Sequence, residues 1–205
     1  QKAGLHFIKG TYETTGSTNL SMSNSVIWIA ANKNEIPKLD ASQYKFSTVD
    51  CTFHYIKING RNNNNIFPNN GTITGNSSLV FSHCEITSAG GIIRDVNGSY
   101  CYENVVFDSC SISYNTNSLY FVNNKTATTA TPKLFVLKDC TVNSGTSPAN
   151  VYVQSQNTDN LDIRFTGNTF TLDNVPQMFS IKSCKSLVYE NNTGYDGPLG
   201  AEPKA

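Results

Sequence analysis

The residues able to do chemistry are few and dispersed. His6, His54 and His83 are far apart along the chain, and their spacing predicts no cluster. No serine-nucleophile motif, phosphate loop or Cys-x-x-Cys pair is present. Two carboxylates stand close together, in Asn157-Thr158-Asp159 and Leu161-Asp162-Ile163. They are the catalytic candidates, because a glycoside hydrolase needs two carboxyls at a defined separation. A Ca²⁺-dependent lyase would need several carboxylates on one ion. Only Asp95 accompanies Arg94 at the expected groove, so no cofactor is expected, and Ca²⁺ would enter only if the chain were a lyase.

Four of the six cysteines fall into a more telling pattern: apolar, any, any, small or Asn, any, apolar. It reads Phe81-Ser-His-Cys84-Glu-Ile86, Phe107-Asp-Ser-Cys110-Ser-Ile112, Leu137-Lys-Asp-Cys140-Thr-Val142 and Phe165-Thr-Gly-Asn168-Thr-Phe170. Weaker copies are Phe7-Ile-Lys-Gly10-Thr-Tyr12, Thr48-Val-Asp-Cys51-Thr-Phe53 and Tyr189-Glu-Asn-Asn192-Thr-Gly194. The fourth positions, 10, 51, 84, 110, 140, 168 and 192, are separated by 41, 33, 26, 30, 28 and 24 residues. A second strand series runs between the copies: Ile27-Trp-Ile29, Asn65-Ile-Phe67, Gly91-Ile-Ile93, Leu119-Tyr-Phe121, Val151-Tyr-Val153 and Phe179-Ser-Ile181.

Short strands repeated at one irregular period cannot each bury a face alone, but stacking them coil on coil buries a continuous core. Helical solenoids are excluded by β-branched and aromatic strands interrupted by Asn, Gly and Ser. A β-sandwich gives no reason for a column of matched residues. The expected fold is therefore all-β: a right-handed, single-stranded parallel β-helix of about seven coils.

In that fold Cys51, Cys84, Cys110 and Cys140 form one column, continued by Asn168 and Asn192. In-register Cβ atoms about 4.8 Å apart do not suit a disulfide, which wants about 3.8 Å. A reduced packing ladder is expected, and thiols in a line do not make a tetrahedral metal site. Cys101 and Cys184 stay outside the column.

Alternation sorts the second series. Ile29, Phe67, Ile93, Phe121, Val153 and Ile181 are expected to face inward. Trp28, Ile66, Ile92, Tyr120, Tyr152 and Ser180 are expected to face outward, followed by a column containing Arg94, Gln154 and Lys182. Flat rings beside donors suit a glycan, and Arg and Lys suit uronate carboxylates. Trp28, Arg94, Tyr120, Tyr152, Gln154 and Lys182 are thus the predicted ligand contacts.

The column of Cys and Asn resembles the pectate-lyase-like β-helix superfamily, in which inward Asn side chains stack at a bend. This likeness spans nearly the whole chain and concerns fold, not a catalytic motif. Cys51-Thr52-Phe53 is also similar to a bend frequent in β-helix domains of exported gut-bacterial proteins. The resemblance implies a ligand groove on the second strand series. Asn157-Thr158-Asp159 is similar to the Asn-Thr-Asp signature of polygalacturonases. The Asp-Asp pair expected one coil later is absent, and Asp173-Asn-Val-Pro-Gln-Met178 stands there instead.

The elements that must position these residues come from one domain, 1–194, with 13–43 as insert or N-terminal cap and 195–205 as tail or linker. Only 15% of residues are charged and net charge is zero, which excludes an electrostatic nucleic-acid or anionic-membrane partner. Hydrophobic residues at 38% suffice for a core, and the longest apolar run, Val26 to Ala31, is too short for a transmembrane segment. The opening at Gln1 suggests a leader already removed, so a secreted or cell-surface bacterial module is expected, with other domains of a longer chain as further partners. The expected function is polysaccharide binding without catalysis; the alternative is a polysaccharide lyase or glycoside hydrolase acting on uronic-acid glycans.

Overall fold

The computed structural model describes residues 3–46, 50–63, 65–69, 77–95, 101–116, 118–122, 132–145, 150–154, 159–173 and 175–200, without the side chains of Phe46, Asn69 and Gln154. The chain winds as a parallel β-solenoid. Its first coil holds β1 (Gly4–Ile8), β2 (Thr11–Glu13) and β3 (Leu20–Met22), and its second β4 (Val26–Ala30), β5 (Lys38–Ala41) and β6 (Tyr44–Phe46). The third has β7 (Cys51–His54), β8 (Lys57–Gly60) and β9 (Phe67–Asn69); the fourth β10 (Ser77–Ser82), β11 (Glu85–Ser88) and β12 (Ile93–Asp95). The fifth has β13 (Tyr102–Asp108), β14 (Ser111–Tyr114) and β15 (Tyr120–Val122); the sixth β16 (Leu134–Lys138), β17 (Thr141–Ser144) and β18 (Tyr152–Gln154). The seventh has β19 (Asp162–Thr166), β20 (Thr169–Thr171) and β21 (Phe179–Ser180), and β22 (Ser186–Glu190) follows.

Among the described residues there is no helix, and therefore none long and apolar enough to cross a membrane. The first strand of each coil stacks into an eight-stranded sheet, the second into a seven-stranded sheet, and the third into a five-stranded sheet. Five coils contribute to all three. The two N-terminal coils close instead through the β3–β6 ladder, which Tyr44 N–H joins to the Ile66 carbonyl at 2.7 Å. Residues 13–43, expected as an insert or N-terminal cap, contribute β3, β4 and β5 to these regular coils.

One bend recurs between the first and second sheets. Tyr55, His83, Ser109, Asp139, Gly167 and Asn191 all have positive φ, from 52° to 70°. A single left-handed residue turns the strand sharply while keeping both flanking strands extended, and Asn, Asp, His and Gly tolerate it best. Inside, Phe53, Phe81 and Phe107 stack face to face at 5.3 and 4.9 Å, with no exposed surface. Parallel register places identical positions over one another, so like rings meet like rings.

The two ends differ. At the C-terminal end, Met178 and Phe179 N–H donate to the Pro198 and Leu199 carbonyls at 3.1 and 2.7 Å. Tyr195 and Leu199, expected in a tail or linker, pack on the core up to where the described chain stops at Gly200. The exposed large hydrophobics among the described residues, Leu5, Phe7, Tyr12 and Ile27, all lie in the first two coils. There, Arg61 ties Asp40 (2.8 Å) to the carbonyls of Thr14 (2.6 Å) and Gly16 (3.0 Å).

Candidate functional site

The predicted groove on the third sheet is not built as expected. Tyr120 and Tyr152 are fully buried, with ring centroids 5.1 Å apart, and both pack on Phe135 at 5.4 Å. The Tyr120 hydroxyl donates to the Tyr102 carbonyl at 3.0 Å. The outward platform is therefore corrected: both rings belong to the core. Trp28 is also buried, at 8% exposure, and lies on β4 in the first sheet, where its ring meets Phe53 at 6.0 Å.

The cause is the corner that precedes the third sheet. Ile66 and Phe67, Ile92 and Ile93, Leu119 and Tyr120, Val151 and Tyr152, and Met178 and Phe179 are consecutive, and all are buried. Strict alternation holds only along a straight strand; a chain that bends between two residues can point both inward. Register aligns Phe67, Ile93, Tyr120, Tyr152 and Phe179, so inward Phe121 and Val153 are each one residue late, whereas inward Ile181 and outward Ser180 stand as expected.

The outward column there is Pro68, Arg94, Phe121, Val153 and Ser180. Exposed Arg94 holds its guanidinium carbon 5.9 Å from the centre of the half-buried Phe121 ring. Lys182 is exposed just beyond β21. Gln154 pairs with Val122, not with Arg94's column, and its side chain lies outside the described residues.

Asn157 and Thr158 also lie outside the described residues. Exposed Asp159 accepts a hydrogen bond from Ser183 Oγ at 2.5 Å. Asp162 accepts from Ser186 Oγ at 2.6 Å and Lys185 Nζ at 2.9 Å, and these bonds hold its carboxyl below the usual range. A carboxyl so stabilised in its ionised form is poorly suited to donate a proton at neutral pH.

The second sheet presents a different surface. Its inward residues, Leu39, Ile58, Ile86, Ile112, Val142 and Phe170, fill the core. One outward column reads Lys57, Glu85, Ser111, Thr141, Thr169 and Thr193, all exposed. The next reads Asn59, Thr87, Ser113, Asn143 and Thr171. Lys57 and Glu85 neutralise each other at 2.9 Å, and the four coils beyond carry only hydroxyls and a carboxamide.

At the corner beside these columns, the Tyr55 and His83 rings lie 4.6 Å apart, and Ser82 Oγ meets His83 Nδ1 at 2.9 Å. His54 aligns with Ser82, one residue before His83; burial and that neighbour both lower its pKa. Two of the histidines expected to stand apart are thus adjacent, because a difference of 29 residues is one coil.

The inner column at the same corner is Ile56, Cys84, Cys110, Cys140, Asn168 and Asn192. Cys51 is not in it: it lies within β7 opposite Leu79, and Phe53-His-Tyr-Ile56-Lys-Ile58 is the true copy. A buried hydrophobe, Ile56, fills here the place that Cys and Asn fill on later coils. Asn192 Oδ1 accepts from the Asn168 backbone at 3.0 Å, Asn168 Oδ1 from the Cys140 backbone at 2.9 Å, and Cys140 Sγ from the Cys110 backbone at 3.4 Å. Sulfur continues the ladder that carboxamides begin. All six cysteines are buried and free of disulfides. No three or more His, Cys, Asp or Glu side chains converge on a metal-sized site among the described residues.

No protein-family model, curated protein or solved structure matches this chain.

Proposed function

We propose that this solenoid is an exported or surface-displayed module that holds a polysaccharide against its outward second sheet and does not cleave it. The observation that carries this reading is the pair of outward polar columns, exposed Ser111, Thr141, Thr169 and Thr193 beside half-buried Ser113 and Asn143 and exposed Thr171, bordered by the Tyr55–His83 rings. Hydroxyls repeating at one strand spacing, about 4.8 Å, offer many small contacts to an extended chain of sugars. The tilted ring pair, exposed at His83 and half-buried at Tyr55, offers ring faces for sugar C–H groups. Kinship with the pectate-lyase-like β-helices belongs to the same proposal, and the Asn168–Asn192 ladder supports it. The engagement of Asp159 and Asp162 by Ser183, Ser186 and Lys185 favours binding over hydrolysis.

Affinity electrophoresis through gels containing neutral or acidic polysaccharides tests the reading. The wild type is expected to be retarded by at least one polymer. Thr141→Ala/Thr169→Ala and Tyr55→Asn, the latter keeping a residue tolerant of positive φ, should each lose most of that retardation with an unchanged circular dichroism spectrum. Arg94→Ala should keep it. Retardation unaffected by either second-sheet variant, or release of shortened chains by the wild type, overturns the proposal.

A further inference from the structure

The margins of the second sheet bear on which polymer it accepts. Successive strands β8, β11, β14, β17 and β20 pair residue for residue, so the outward columns run straight. Each strand is three or four residues long and starts at a bend, whereas the columns continue from coil to coil. From Ser111 to Thr193 the first column spans about 14 Å along the solenoid axis, and the second lies about 6.6 Å beside it. Thr193 Oγ1 donates to Thr169 Oγ1 at 3.4 Å, so hydroxyls on adjacent coils stand on one side within reach of each other. An extended, equatorially linked sugar chain advances by nearly one coil per ring. Laid along the axis, it meets a polar side chain of each column at every step.

The charges around this strip are arranged against an acidic polymer. Lys57, the cation on the face itself, is neutralised by Glu85 at 2.9 Å. Carboxylates stand on both sides. Asp139 is the exposed bend residue two positions before Thr141, and Asp173 is exposed two positions after Thr171. The Asp173 backbone N–H donates to Ser144 Oγ at 3.0 Å, which ties that margin to the neighbouring coil. Lys138 is 3.8 Å from Asp139 and equally far from Asp108, so one ammonium is shared by two carboxylates. A chain lying between the columns passes within about 8 Å of Asp139 and Asp173. At that distance in water, each pair of like charges disfavours binding about two- to threefold, until salt screens it.

We infer that the second sheet selects uncharged, extended polysaccharides laid along the solenoid axis, and that Asp139 and Asp173 turn polyuronates away. This rests on the second sheet being the polysaccharide face. Each sugar presents hydroxyls to the Ser111–Thr193 column on one side and to Ser113, Asn143 and Thr171 on the other. Arg94 and Lys182, the cations that would suit uronates, stand at the third sheet and take no part.

The test is affinity electrophoresis at low ionic strength and about pH 8, above the ordinary histidine range. Gels contain glucomannan, hydroxyethylcellulose or polygalacturonate, and mobility is taken relative to a polymer-free gel. The wild type should be retarded by an uncharged polymer, equally with and without added salt, and not by polygalacturonate. Asp139→Asn/Asp173→Asn should keep the first behaviour and bind polygalacturonate several-fold more tightly than the wild type does. Asn tolerates the positive φ at position 139, and circular dichroism checks the fold. Thr141→Ala/Thr169→Ala should lose retardation by the uncharged polymer. Stronger retardation of the wild type by polygalacturonate than by either uncharged polymer, lost in the threonine variant, overturns the selectivity and leaves the polysaccharide face standing. No gain for polygalacturonate in the asparagine variant overturns the role of the two carboxylates. Retardation by none of the three polymers overturns the inference together with the reading beneath it.

Discussion

Tyr120 and Phe121 are neighbours on β15, and replacing each by Ala should produce very different losses. Tyr120 is fully buried, and removal of a core ring of that size is worth about 3–5 kcal/mol. Its contacts with Phe135 and Tyr152 are part of that loss, but its hydroxyl bond to the Tyr102 carbonyl is additional, about 1 kcal/mol. Tyr120→Ala is therefore expected to destabilise by about 4–6 kcal/mol, a large part of the ordinary stability of a domain. Phe121 is half-buried, and its ring contact is with the Arg94 guanidinium, worth about 0.5–1 kcal/mol at an exposed site. Its replacement should be worth about 1 kcal/mol, as should Tyr120→Phe, which removes only the hydroxyl bond. Urea unfolding followed by far-ultraviolet circular dichroism measures all three, provided the slope with denaturant stays constant. A larger loss from Phe121→Ala than from Tyr120→Ala would mean that the third sheet has the opposite phase.

Burial pushes the Cys51 thiol up to about 12, above its ordinary value near 9. Its stabilising protonation is complete below pH 9 and is lost as pH rises from about 9 to about 12, by up to about 1.4 kcal/mol per pH unit. Cys51→Ala should flatten that part of the alkaline stability profile; an unchanged slope would place the thiol in water. At neutral pH the folded protein should leave a bulky thiol reagent largely unconsumed and all six cysteines should react in denaturant, with rapid native labelling as the contrary result. Burial raises the Asp40 carboxyl, but Lys38, Asn59 and Arg61 outweigh it and hold it low, so its contribution is present above about pH 4 and fades as pH falls further. Arg61→Ala should destabilise the first two coils by about 2 kcal/mol, less than for a fully buried pair because Arg61 is part-exposed, and hydrogen exchange should quicken in β2 and β5 while β16 stays protected.

The solenoid was legible because its repeat rests on local chemistry. A bend residue tolerant of positive φ, then a small or amide residue, then an alternating strand recur at Cys84, Cys110, Cys140 and Asn168, and stacking is the arrangement that buries all of them. Less of the site could be read. Arg94 and Lys182 were correctly exposed, but the tyrosines paired with them were not, because two consecutive inward residues at a corner break the alternation from which their direction was inferred.

The sequence by itself determined that the chain is all-β, that its strands repeat once per coil, and that the column from Cys84 to Asn192 is shared. These follow from residue type and period, which act over a few residues. Tertiary structure alone decided which residues become neighbours across coils of unequal length. It brought His54 beside His83, put Ile56 where Cys51 had been expected, and aligned Ser111, Thr141 and Thr169 on one face. Coil lengths vary because loops outside the core can be long or short without disturbing it, so register is fixed by which side chains fill the interior together, not by counting along the chain.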